Sequence, residues 1–254
     1  MAMKYVKFIA AILTLSSFLG IAGCATTSER SKAGLVSGKA QEITLSSTLE
    51  YLPSPKTDKD GNSIPYIATE NPYVLQKGKI KKESIAKFIE ATRATKHKQY
   101  DQAELLLQEL TVEDKNLSGP WVLLGDIATE KNNHEKAVND YQKALEINDK
   151  NINAHLRLAK ALRMKGEFLK AQNTYAKLLV LWRDCPEAHL NLAVLYDVFL
   201  NHPLRAQKHM EAYQYLTGGE DKNIANWLVE IQQRTGVPTS LIVEKKKAES
   251  KPLS

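Results

Sequence analysis

The sequence predicts an all-α fold, a solenoid of helix-turn-helix units closed by a C-terminal capping helix. Ala103, Ala137 and Ala171 recur every 34 residues, and each is followed four positions later by a bulky apolar residue, Leu107, Tyr141 and Tyr175. Leu110, Ala144 and Leu178 come three further on, and the small residues Ala91, Gly125 and Ala159 stand sixteen positions before the bulky ones, where two helices can approach closely. Within each unit apolar residues recur at steps of three and four, the period of an amphipathic helix. Polar turns such as Lys131-Asn-Asn133 and Lys165-Gly-Glu167 interrupt them. A helix pair of this kind cannot bury its stripe alone, and stacking successive pairs closes one continuous core.

The first element, residues 1–23, is a leader. Lys4 and Lys7 precede the apolar run Phe8–Leu19, which ends at Ile21-Ala-Gly-Cys24. That run is shorter than the about 20 residues that span a bilayer. Small residues at Ala22 and Gly23 suit a peptidase that closes on extended backbone. These residues resemble the lipobox of bacterial lipoprotein signal peptides. The resemblance implies removal of residues 1–23 and a mature chain beginning at Cys24, with a diacylglyceryl thioether and a further acyl chain such as palmitate. Each buried methylene contributes about 0.8 kcal/mol, so two or more chains make a stable anchor. It further implies a membrane-anchored lipoprotein facing the periplasm. Ala25 stands where an Asp would retain it in the inner membrane, which directs it to the outer one. An ordinary secretory signal with a chance cysteine is the competing reading.

With Cys24 blocked, Cys185 has no intramolecular partner, so it is read as a small buried hydrophobe and no internal disulfide is expected. Loss of residues 1–23 removes two lysines and no acid, which lowers the formal net charge from +6 to +4. Export and the absence of a basic-aromatic stripe argue against nucleic acid as a partner. The charge is read as solvated surface, with anionic envelope polymers or lipid headgroups as the alternative.

Residues 24–83 are read as the lipidated cysteine followed by a mostly flexible tether. Up to about Asn71 they are rich in Ser, Thr, Lys, Gly and Pro, with Pro53, Pro55, Pro65 and the run Asp58–Asn62, and show no sustained apolar period. A flexible chain of roughly 45 residues would hold the folded part about 35–40 Å from the membrane. A short ordered piece near Tyr51 or Asn71-Pro-Tyr73 is the alternative, and Ile43-Thr-Leu45 is too brief to make a strand.

The solenoid is placed at residues 84–236. Residues 118–151 carry Trp121, Leu124, Gly125, Ala137, Tyr141 and Ala144 at their fourth, seventh, eighth, twentieth, twenty-fourth and twenty-seventh positions. They resemble the tetratricopeptide repeat, which has Trp, Leu, Gly, Ala, an aromatic and Ala there; Ala128 stands where that repeat has Tyr. Residues 152–185 keep Leu158, Ala159, Ala171 and Tyr175 but put His155 at the fourth position. Residues 84–117 depart further, with Lys87 and Glu90 where Trp and Leu would be. Residues 186–219 open on Pro186, favoured in a first turn, and continue through Leu192, Ala193 and Tyr196. The small residue expected at 205 is Ala206, which puts one extra residue in the turn around Leu200–Pro203. Gly218-Gly219 ends that unit, and Ile224, Trp227, Leu228 and Ile231 share one face of a capping helix over 220–236. The tail, 237–254, is read as frayed or as a partner-binding segment.

The chain has no phosphate-cradling glycine loop, nucleophile elbow, Cys-x-x-Cys pair or zinc-binding helix motif, so no catalytic activity, cofactor or small-molecule substrate is expected. His155 and His189 occupy equivalent positions of adjacent units, but a zinc site needs three or four ligands and none can be added. Asp140, Glu146 and Asp149 are read as a solvated helix face, and Trp121 and Trp227 as core or cap residues. The resemblance implies protein or peptide partners of the cell envelope, docked on the concave face by a scaffold or assembly factor of a pilus, secretion or energy-transducing complex. A glycan-binding or cell-wall module is the rival. Carried over onto this chain, that face holds Asp126, then Leu156, Arg157, Lys160, Arg163 and Met164, then Leu190, Asn191, Val194 and Asp197. An acidic or mixed peptide lying along Arg157, Lys160 and Arg163, with Leu156, Leu190 and Val194 as apolar anchors, is weighed against charges that only keep the groove solvated.

Overall fold

The structure is a computed structural model and describes residues 45–76 and 78–241. Residues 1–23, read as a leader, Cys24 and residues 242–254 of the tail lie outside the described residues. The helices are α1 (Lys82–Lys96), α2 (Tyr100–Glu113), α3 (Ser118–Glu130), α4 (His134–Ile147), α5 (Ile152–Met164), α6 (Phe168–Leu181), α7 (Pro186–Val194), α8 (Pro203–Thr217) and α9 (Lys222–Thr235). They pack in antiparallel pairs, α1 with α2 through α7 with α8, and α9 lies on α8. The fold is the all-α solenoid that the periodicity demands.

The periodic residues are the core. Ala91, Ala103, Leu107, Leu110, Ala137, Tyr141, Ala144, Ala159, Ala171, Tyr175 and Leu178 are all buried. Gly125 shows why a small residue is needed at its position. A Cβ there would stand 2.6 Å from Cδ1 of Tyr141 and closer still to Cε1, so α3 and α4 meet only because it is absent. The helix starts follow from local chemistry: Asn133, Asn151 and Asp221 side chains accept from backbone N–H groups of the first turns, while Pro186 and Pro203 open α7 and α8.

Each pair reverses at one left-handed residue: Lys98, Asn132, Gly166 and Asn201, with φ of 59°, 56°, 78° and 51°. The following N–H closes the turn, Gln99 on Ala94 O at 2.9 Å, Asn133 on Ala128 O at 2.8 Å and Glu167 on Leu162 O at 2.9 Å. In the fourth unit His202 N–H reaches back to Tyr196 O at 2.8 Å, one residue further. The extra residue is therefore not in the turn around Leu200–Pro203, as expected, but upstream of it. Leu195–Phe199 widen into a π turn, closed by Leu200 N–H on Leu195 O at 3.0 Å, which absorbs one residue and leaves the reversal at Asn201 like the other three.

The flexible tether read over residues 24–83 is corrected for residues 45–76, which form a strap along the inter-repeat loops. It begins against α6–α8, makes a 3-10 turn at Leu49–Tyr51, and includes a two-residue hairpin of β1 (Lys56–Thr57) and β2 (Ser63–Ile64). The hairpin turns on the Asp58 side chain, which accepts from the backbone of Asp60 and Asn62. The strap ends beside the α4–α5 loop, where Asn148 donates to Gln76 and Asn151 to the Tyr73 hydroxyl. It thus crosses the units in reverse order before the chain turns into α1. At the other end, residues 237–240 follow α8, with Val237 O and Ser240 held by Gln207 and Glu211.

Candidate interaction surfaces

The first helices of successive pairs contact one another, α3 on α5 and α5 on α7, and form the inner layer of the solenoid. The residues expected to bind a partner lie on these helices, and the structure divides them. Arg157 Nε donates to Asp126 Oδ1 and Oδ2 at 2.7 and 3.0 Å, and Tyr141 O–H donates to the same Oδ1 at 2.8 Å. Burial holds the Asp126 carboxyl above its ordinary value despite the neighbouring Arg157 charge, and burial likewise pushes up the Tyr141 phenol. Lys160 is exposed and forms no ion pair among the described residues. The Arg163 guanidinium lies over the Phe199 ring, 5.5 Å from its centroid, with a buried Nε that has no hydrogen-bond partner among the described residues. Three adjacent cations in sequence are therefore one neutralised arginine, one free lysine and one stacked arginine.

Leu156 and Leu190 are half-buried and pack on the core, and Val194 is half-buried as well. Asn191 turns back onto its own helix, donating to Glu187 O at 2.7 Å. Asp197 is taken by the cap: Trp227 Nε1 donates to one oxygen at 2.9 Å and Arg234 to the other at 2.6 Å. Asp126 and Asp197, expected as partner contacts, both hold the scaffold together.

The fourth-position histidines each hold a loop carbonyl, His155 Nε2 on Asp149 O at 2.7 Å and His189 Nε2 on Arg183 O at 2.8 Å. Asp140, read as solvated, is buried and paired with Lys136 at 2.7 Å. Trp121 packs on the core under the Lys143 ammonium, 4.4 Å from the ring centroid. Cys185 is buried, and burial pushes its thiol up to about 12, so it stays a protonated, inert side chain at neutral pH.

Two sets of residues carry the strap, and no motif marked them. Asp184, buried, accepts from Tyr66 O–H at 2.6 Å and from the backbone N–H and hydroxyl of Thr69, each at 2.8 Å. Trp182 Nε1 donates to Thr69 O, and Arg183 to Glu50 O. The second set is a buried relay with one consistent direction. His189 Nε2–H must donate to a carbonyl, so its Nδ1 accepts from His209 Nδ1–H at 2.9 Å. His209 Nε2 then accepts from Thr48 O–H at 2.9 Å, and Thr48 Oγ1 accepts from Tyr196 O–H at 2.9 Å. In this direction each of these polar atoms has a partner, and burial favours the neutral form of both imidazoles.

The fold defines a class, the tetratricopeptide-type solenoid, and residues 125–166 match the TPR repeat family model. Solved structures share the architecture. The MamA RS-1 ArsTM double mutant superposes with a TM-score of 0.54 at 16% identity, over 62% of this chain and 87% of that one. The crystal structure of MamA gives 0.52 at 16%, over 57% and 84%. TTC0263, a thermophilic TPR protein of Thermus thermophilus, gives 0.50 at 18%, over 60% and 82%. At these identities the likeness is one of fold. The search of curated proteins found no significant match.

Proposed function

We propose that the chain is a membrane-anchored protein-interaction scaffold, an assembly factor of a bacterial envelope complex, tethered through a lipidated Cys24 on the periplasmic side of the outer membrane. It acts by docking a protein segment and performs no catalysis. The observation that supports this reading is the inner layer of α3, α5 and α7. It presents Lys160, exposed and without an ion pair among the described residues, beside the half-buried Leu156, Leu190 and Val194, while Asp126, Arg157 and Asp197 of the same layer are engaged within the scaffold. A segment with a carboxylate for Lys160 and aliphatic anchors fits this face.

A photo-crosslinking residue placed at Lys160 or Val194 is expected to give one discrete protein adduct in cells, while the same residue at the exposed Lys177 of α6 does not. Equal adducts from both faces, or none from the inner one, would overturn the docking site. The anchor is tested separately by metabolic labelling with a fatty acid: Cys24→Ser should abolish the label and leave an uncleaved precursor. Undiminished labelling of that variant removes the anchor.

A further inference from the structure

The four reversals are structurally equivalent, so side chains at fixed offsets from the left-handed residue can be compared directly. Two positions before it stand Lys96, Glu130, Met164 and Phe199; three after it stand Asp101, Glu135, Leu169 and Leu204. All eight are exposed. Both sets are charged in the first two units and apolar in the last two, although the helices they join are built alike. Core packing does not ask for this, because the charged pairs serve the same backbone.

The apolar positions gather into one patch. Phe168 and Phe199, from adjacent reversals, stack with centroids 4.8 Å apart. Met164 is 43% exposed, Leu169 38%, Phe199 38% and Leu204 49%, and the π turn adds Val198 at 58%. Without the inserted residue Val198 would fall where Met164 does in the preceding unit, so the insertion enlarges the patch by one side chain. The patch ends at a salt-bridged rim, where Lys165 joins Glu135 at 2.5 Å and Glu167 at 2.9 Å, and Lys170 joins Glu167 at 2.6 Å. Beside it Arg163, over Phe199, carries a charge with no ion pair and a buried Nε–H with no acceptor among the described residues.

We propose that this turn edge of the third and fourth units is a second docking surface, for an amphipathic helical segment of another protein with two or three aliphatic anchors and a carboxylate that meets Arg163. Taking roughly 150–200 Å² for a whole side chain of this size, the five exposed residues leave on the order of 400 Å² of apolar surface. That is about half of the ~800 Å² per partner of a standard stable interface, too little for self-association of two such patches and enough for a short helix. The unpaired guanidinium selects a negative rather than a positive flank. The surface shares Arg163 and Met164 with the face expected from the resemblance, but its other apolar side chains, Leu169, Val198, Phe199 and Leu204, lie apart from the anchors Leu156, Leu190 and Val194.

The probe is a designed peptide of about four helical turns, with Leu at i, i+3, i+4 and i+7 and Glu on the remaining face. It is titrated by fluorescence anisotropy into the full chain, beside a scrambled peptide and one with Lys for Glu. Saturable binding is expected, weakened about tenfold or more by scrambling, by the Lys exchange and by Leu169→Ser/Leu204→Ser, the last also in a chain whose inner-layer Lys160 is changed to Ser, and unchanged by Lys177→Ser on α6. Val198→Ser alone, with an unchanged thermal midpoint, guards against misfolding of the double variant and should weaken binding severalfold. Binding that survives scrambling or the double variant, or no binding at all, overturns the proposal. So does concentration-dependent dimerisation, or retention on anionic phosphatidylglycerol vesicles, if the double variant abolishes it, because the occupant is then a second copy or a lipid surface.

Discussion

Tyr141 occupies the space where a Cβ on Gly125 would go, and its hydroxyl continues to Asp126, so one missing methyl lets a core aromatic reach the inner layer. Gly125→Ala gains helix propensity of about 1 kcal/mol but overpacks a rigid ring, which costs about 1–3 kcal/mol and here falls at the upper end. The net expectation is a loss of about 1–2 kcal/mol, read as a drop of a few degrees in the circular-dichroism midpoint; a raised midpoint would show that α3 and α4 part easily. This contact was legible in the sequence from its spacing. The histidine relay was not, because His189 and His209 sit in different helices and Thr48 lies far upstream of both. Burial pushes His189 down to about 4 and His209 well below its ordinary value, with Arg183, Asp184 and Arg205 as the charges nearest them. Protonating His189 sets two N–H groups against each other at the 2.9 Å Nδ1–Nδ1 contact, and protonating His209 sets its Nε2–H against the Thr48 hydroxyl hydrogen. An unfolded histidine titrates near 6.5, so the stability held by the neutral pair is complete above that pH and is lost as pH falls from about 6.5 toward about 4. Thermal midpoints of wild type should therefore fall more steeply through that window than those of His209→Gln. Parallel profiles would remove the pair from the acid response.

At the scale of elements, the helices follow from apolar period and cap chemistry, whereas the strap follows from neither. It docks through single hydrogen bonds spaced several residues apart, Ser46 on Gln172, Tyr66 and Thr69 on Asp184, Tyr73 on Asn151, and such spacing leaves no period to read. Tyr51 and Asn71-Pro-Tyr73 were the hints that order was present. The acceptor was harder to see: a lone Asp at the end of a helical repeat is ordinarily solvent-exposed, whereas Asp184 is buried with Tyr66 and Thr69 of the strap on its carboxylate. Asp184→Ala removes the acceptor of three donors, and an unsatisfied buried group costs about 1–3 kcal/mol. The strap is expected to lift locally rather than strand those donors, so limited proteolysis should cut residues 52–70 much faster in the variant while the helical content is retained. Equal cleavage rates would mean that the remaining contacts hold the strap without Asp184.

At the scale of the molecule, stability is distributed unevenly along the repeat axis. One core cluster runs without interruption from Val122 in α3 to Ile231 in α9, and the strap and cap both fasten onto it. The second cluster, of seven buried residues from Ala91 to Ile127, joins α1 and α2 to α3 alone. The first pair also leaves Ile85, Ile89, Leu105 and Val112 exposed, and none of the strap's hydrogen bonds described above reaches it. In a repeat array stability is close to a sum of unit and nearest-neighbour terms, so a terminal pair with one neighbour and no strap opens at lower free energy than an internal pair fastened on both sides. Native-state hydrogen exchange should accordingly show the amides of α1 and α2 exchanging through a lower-energy opening than those of α5 through α8. Asp184→Ala should narrow that difference by weakening the fastened end and leaving the first pair as it was. Exchange of α5–α8 ahead of α1 and α2, or one common opening energy along the whole solenoid, would mean that the strap and cap add nothing to the units they cross.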